Sequence, residues 1–68
     1  MNNTSQKLGA NIKRIRTKNK MTQGDICRAI KMDRSYMSAI ESGKKNVTLA
    51  VLEKLANALD VSVDELLK

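Results

Sequence analysis

Sixty-eight residues with a formal net charge of +6 bound the chain to one small domain, expected to bury only ~60% of its unfolded surface and so to need a staple or a partner. With one cysteine and no histidine, neither an intrachain disulfide nor a tetrahedral zinc site can be that staple, and no metal or cofactor is expected. No nucleophile–base pair is present for acyl or phosphoryl chemistry, so an enzyme is excluded as well.

The apolar residues recur with a helical period, and no strand-like alternation persists, so the expected class is all-α. Leu8, Ile12 and Ile15 sit at i, i+4 and i+7 and predict helix 1 over about 6–18, with Lys7, Lys13, Arg14 and Lys18 facing out. Thr22-Gln23-Gly24-Asp25 fits a capping box. It opens helix 2 over about 23–30, with Ile26, Cys27 and Ile30 inward. Free cysteine is usually buried, so Cys27 is assigned to the core, as are Met21, Met32 and Met37. Asp33 is placed as the N-cap of helix 3 over 34–42, and Gly43 ends that helix. Thr48 caps helix 4 over about 49–59, with Leu52, Leu55, Ala56 and Leu59 inward. Ser62-Val63-Asp64-Glu65 fits a second capping box and opens a last short helix ending in Leu66-Leu67. The result is a compact five-helix bundle whose ends, Met1, Asn2 and Lys68, are expected to fray.

Charge is unevenly placed. Residues 1–45 carry a formal +8 and residues 46–68 carry −2, which suggests a polyanion on one side. Helix 2, a short link and helix 3 have helix-turn-helix spacing. Tyr36, Met37 and Ile40 share one side of helix 3, while Arg34, Ser35, Ser38, Ala39 and Ser42 share the other. A helix that enters a major groove ~12 Å wide needs short side chains and one or two long readers. Arg34 can donate two hydrogen bonds to a guanine, Ser35 and Ser38 can bond base edges or phosphates, and the Ala39 methyl can touch a thymine methyl. Gln23 and Gly24 lie in the first turn of helix 2, where free amides favour a phosphate. Lys44, Lys45 and Asn46 follow helix 3 and can grip the backbone. Each of these residues also has a plain alternative: Arg34 as a solvated residue, the serines as helix surface, Gln23 as a structural residue, Tyr36 as a packing ring. The single aromatic argues against single-strand recognition by stacking.

The string "LGANIKRIRTKNKMTQGDICRAIKMDRSYMSAIESGKKNVTLAVLEKLANALDVSVDELL", residues 8–67, resembles the Cro/repressor-type helix-turn-helix family. Thr22-Gln23, Ile40-Glu41-x-Gly43 and "LANALDVSVDELL" carry the resemblance. "DRSY" and "NVTL" look most like the controller proteins of restriction–modification systems. The resemblance implies a lambda-repressor-like fold in one domain, 1–68, with the helix-turn-helix at about 22–42 and dimerisation helices at about 49–67. It implies a homodimer on a double-stranded operator with symmetric half-sites ~34 Å apart. Base readers would be Arg34 and Ser35 with Ser38 and Ala39, and backbone contacts Gln23, Tyr36, Lys44, Lys45 and Asn46. It also implies an Arg16–Glu41 ion pair and dimer contacts from Val51, Ala58, Val61 and Leu67.

As a controller, the protein would act on its own promoter and on the endonuclease gene, activating when scarce and repressing when abundant. RNA polymerase would be a further partner, with Asp25 and Asp33 the acidic groups near the DNA-facing surface. A phage or plasmid Cro/repressor-type regulator and an antitoxin-like interaction module stay open as alternatives. The family often has glycine where Lys20 and Lys31 stand; a left-handed backbone there would cost on the order of 1 kcal/mol per lysine. No export signal and no apolar run of ~18 residues appear, so a cytoplasmic protein is expected.

Overall fold

A computed structural model describes residues 3–68. Among them are five helices and no strand: α1 (Asn3–Lys18), α2 (Gln23–Ile30), α3 (Arg34–Glu41), α4 (Leu49–Leu59) and α5 (Val63–Leu67). The bounds of α2 and α4 are those expected. The expectation for Met1 and Asn2 lies outside the described residues.

The apolar stripes meet in one core. Leu8, Ile12 and Ile15 of α1 pack with Ile26 and Cys27 of α2, Met37 and Ile40 of α3, four side chains of α4, and Leu66. Ile30, Met21 and Met32, expected inside, are only half-buried at its margin, whereas Met37 is fully enclosed. α1 runs under both α3 and α5, so it is the platform on which α3 rests.

α1 starts three residues earlier than the apolar period suggests. Its first turn is polar, but Ser5 is buried and its hydroxyl donates to the side-chain carbonyl of Asn46 in the α3–α4 loop. Two asparagines fasten α1 elsewhere: Asn11 Nδ2 donates to Leu66 O at 2.9 Å, and Asn19 Nδ2 to Leu59 O at 3.1 Å. Each satisfies a carbonyl at a helix end that has no intrahelical donor.

Gly9 has a different role. A Cβ there would stand 2.4 Å from Ile40 O and 2.7 Å from Glu41 O, so only glycine lets α1 approach the end of α3 this closely.

The caps follow the sequence, with two corrections. Thr22 and Asp25 form the reciprocal box, and Thr48 accepts the amide of Val51. Asp33 has the extended N-cap backbone, but its carboxylate makes no cap hydrogen bond. At α5 only half of the box exists: Ser62 accepts the Glu65 amide, while the Glu65 carboxylate turns instead to Lys68 Nζ at 2.9 Å.

Four helices end in a left-handed residue that turns the next amide back onto the last turn. Lys20 (φ 60°), Lys31 (φ 56°), Gly43 (φ 79°) and Asp60 (φ 59°) occupy these places. The amides beyond them bond Arg16 O (2.9 Å), Cys27 O (2.9 Å), Ala39 O (2.9 Å) and Ala56 O (3.0 Å) in turn. The two lysines flagged from sequence do carry the strained backbone, and so does Asp60, which was not flagged. Ser42, expected as the last residue of α3, is its cap, and Gly43 follows it.

Candidate nucleic-acid interface

The outer face of α3 carries Arg34, Ser35 and Ser38 exposed and Ala39 half-buried. Met37 and Ile40, fully buried on the opposite side, set this orientation. The exposed face therefore consists of short side chains with one arginine at its N-terminal end.

α3 is clamped at its other end. Arg16 Nε donates to Glu41 Oε2 at 2.7 Å, Arg16 Nη2 to Glu41 Oε1 at 2.9 Å, and Arg16 Nη1 to Met21 O at 2.9 Å. The side chains are 13% and 5% exposed, so this fork-to-fork pair is largely out of water. Burial pushes the Glu41 carboxyl up, but the hydrogen bonds from Arg16 and Gln23 and the charges of Arg16 and Lys13 outweigh it and hold the group below its ordinary value. The hydrogen bond to Glu41 raises Arg16 in turn, against burial.

Gln23 belongs to the same network: its Nε2 donates to Glu41 Oε1 at 3.1 Å. The side chain assigned to a phosphate is thus fixed first by Glu41. Asp25 is likewise committed. It accepts from the Thr22 amide at 2.8 Å and from Arg28 at 2.6 Å. The backbone and side-chain hydrogen bonds with Thr22, then Arg28, hold its carboxyl low. Arg28 folds back over the first turn of α2, into space that Gly24 leaves open: a Cβ there would lie 3.3 Å from Arg28 Nη1.

The other backbone candidates fall into two places. Tyr36 is half-buried, and Lys45 Nζ stands 5.9 Å above its ring centre, so these two form one unit. Lys44 is exposed beside them, whereas Asn46 is tied to Ser5 at the start of α1. At about 100° per residue, Tyr36 and Ser38 lie on opposite flanks of α3. Ser35 and Ala39 occupy the strip between them, and Arg34 lies just beyond Ser38.

The dimer candidates do not share one face. Val51 and Ala58 are half-buried and turn to the groove between α4 and α2. Val61 is also half-buried against the core, and Leu67, 41% exposed, lies beside Val47 and Leu52. Leu49, 68% exposed, is the large apolar residue that sequence reasoning missed. Leu49 stands at i−3 from Leu52, in period with the inward stripe of α4, so the sequence carried no signal of its exposure.

With this geometry in view, the comparison with known proteins is decisive. A family model described as "Helix-turn-helix" matches residues 12–66. The chain belongs to the helix-turn-helix family. It is similar to the control protein C.MunI of a Mycoplasma species, 37% identical over 67 residues, covering 97% of this chain and 90% of that one.

Among solved structures it resembles the restriction–modification controller protein C.AhdI of Aeromonas hydrophila. The TM-score is 0.87 at 35% identity, over 91% of this chain and 94% of that chain. It also resembles the controller C.Esp1396I, solved as a tetramer in complex with its natural 35 base-pair operator. There the TM-score is 0.84 at 33% identity, over the whole of both chains. These relatives are control proteins and not enzymes, in line with the exclusion drawn from composition. No helix among the described residues is long and apolar enough to cross a membrane.

Proposed function

We propose that this helix-turn-helix protein is a cytoplasmic, sequence-specific transcriptional regulator. It is a restriction–modification controller that binds its own promoter and governs the endonuclease gene. The observation that carries this is the outer face of α3, where Arg34, Ser35 and Ser38 stand exposed on a helix fixed to α1 by the Arg16–Glu41 fork. Residues 1–68 act as one DNA-binding domain, with Arg34, Ser35, Ser38 and Ala39 toward base edges. Gln23, Tyr36, Lys44, Lys45 and Asn46 serve the backbone, Gln23 from its seat on Glu41 and Tyr36 together with Lys45. The likeness to C.Esp1396I, solved in complex with its operator, supports binding to operator DNA.

The protein works as a homodimer through α4 and α5, which also relieves the small core. Exposure favours Leu49 and Leu67 as its anchors over Val51 and Ala58, which already pack within the chain. These are also the large apolar residues most exposed among those described, so little apolar surface remains for a separate interaction module. For a contact with RNA polymerase, Asp33 is the acidic group of choice, since Asp25 is consumed by its cap and by Arg28.

DNase I footprinting on the DNA upstream of its own reading frame tests the proposal. Two protected half-sites centred ~34 Å apart are expected. Uniform protection with no sequence preference would overturn it.

A further inference from the structure

We infer that Lys13 of α1 is a DNA-backbone residue. With Gln23 and Ser38 it forms a seat for one phosphate, bordered by Ser42, on the flank of α3 opposite Tyr36 and Lys45. This rests on the reading that α3 enters a major groove. A helix in that groove lies between two phosphate strands and meets backbone on both flanks. On one flank Lys44 and Lys45 supply the positive charge. On the other, Lys13, Gln23, Ser38, Glu41 and Ser42 line a shallow cleft of about 170 Å³, room for several waters at about 30 Å³ each.

The charge in this cleft decides what it can hold. Arg16 and Glu41 cancel, and both are spent: Arg16 makes three hydrogen bonds, and the Glu41 side chain is 5% exposed with both oxygens taken. Lys13 acts on Glu41 through its charge. It forms no salt bridge among the described residues and is itself exposed. The cleft therefore carries one uncommitted positive charge, the Ser38 hydroxyl able to donate, and an amide held in place by a buried carboxylate, while Ser42 Oγ already donates to Ala39 O at 3.1 Å. Those are the parts of a phosphate seat. An α1 side chain would thus read the position of the far strand, and the same fork that orients α3 would orient the seat.

The test is a salt titration of affinity with Lys13→Ala and Lys13→Arg, on duplex DNA from upstream of the gene and on a scrambled duplex. Neutralising one phosphate contributes about 0.9 to the slope of log K against log salt, so Lys13→Ala, which removes one contact from each protomer of the dimer, should lower the slope by about 1.8 and bind about 60-fold more weakly at 0.1 M salt. The loss should shrink toward nothing near 1 M and be equal on both duplexes, with Lys13→Arg restoring binding. Single methylphosphonates scanned along the duplex should reveal one phosphate whose neutralisation weakens the native protein and not Lys13→Ala.

An unchanged salt slope overturns the proposal, and if it accompanies weaker binding it assigns Lys13 to the support of Glu41. A scan in which every phosphate matters equally to both proteins overturns it as well. Arg34→Ala in the same series keeps the two readings apart. Lost discrimination between the duplexes with the Lys13 slope intact would refute operator reading and leave the phosphate seat standing.

Discussion

Replacing Gly9 by alanine sets two effects of opposite sign against each other. Alanine is the better helix former by about 1 kcal/mol, so propensity alone would stabilise α1. The new Cβ, however, would lie 2.4 Å from Ile40 O and 2.7 Å from Glu41 O, and these are backbone atoms that no rotamer change can move. Restoring a contact of about 3.2 Å requires α1 and the end of α3 to part by roughly 0.8 Å, and overpacking of this kind costs about 1–3 kcal/mol. With backbone on both sides the upper figure applies, which leaves a net loss of about 2 kcal/mol after the propensity gain. For a domain of this size that lowers Tm by about 8–16 °C.

Gly24→Ala is the matched control. Its Cβ would meet the end of the Arg28 side chain at 3.3 Å and Thr22 Oγ1 at an ordinary 3.6 Å, so propensity should win and Tm should rise. Thermal melts followed by circular dichroism read both. A rise in Tm for Gly9→Ala would refute the reasoning that close backbone approach sets the α1–α3 spacing.

Four further outcomes follow from the structure. Glu41→Ala strands Arg16 in a largely buried site and should cost about 3–5 kcal/mol, while Arg16→Met/Glu41→Leu recovers most of it, as denaturant titration of both variants beside the native protein will show. Because the folded Glu41 carboxyl is held below its ordinary value, its stabilisation is complete above that value and is lost as pH falls through the depressed one; Glu41→Gln should flatten this acid limb. Lys20→Gly, Lys31→Gly and Asp60→Gly each relieve a left-handed backbone and should each stabilise by about 1 kcal/mol, seen as a raised Tm. Leu49→Asp with Leu67→Asp should shift sedimentation equilibrium to monomer, and an undiminished dimer would move the interface elsewhere.

What was legible in the sequence was whatever depends on burial period and local capping. Leu8, Ile12 and Ile15 announce the buried stripe of α1, and Thr22, Thr48 and Ser62 mark starts correctly because an N-cap is settled within three residues. Ser5, Asn11 and Asn19 were silent because their partners lie 41, 55 and 40 residues away. Gly9 was silent for a related reason: a glycine inside a helix acquires meaning only from the helix that crosses it.

At the interface, the reading face of α3 followed from its period alone. The Gln23–Glu41 bond and the place of Lys13 beside it needed α1, α2 and α3 in their relative positions. Exposure of Leu49 was likewise undecided until α4 had been placed, since a leucine at the head of a helix more often points inward.

Base reading by Arg34, from an α3 held in place by α1, is the core of the proposed function. Its most direct test is fluorescence anisotropy with the upstream duplex and a scrambled one, for the native protein and Arg34→Ala. The account expects the native protein to prefer the upstream duplex by at least ~10³-fold. Arg34→Ala should lose about 1–3 kcal/mol on that duplex and nothing on the scrambled one. Equal binding to both duplexes, indifferent to Arg34, would contradict it.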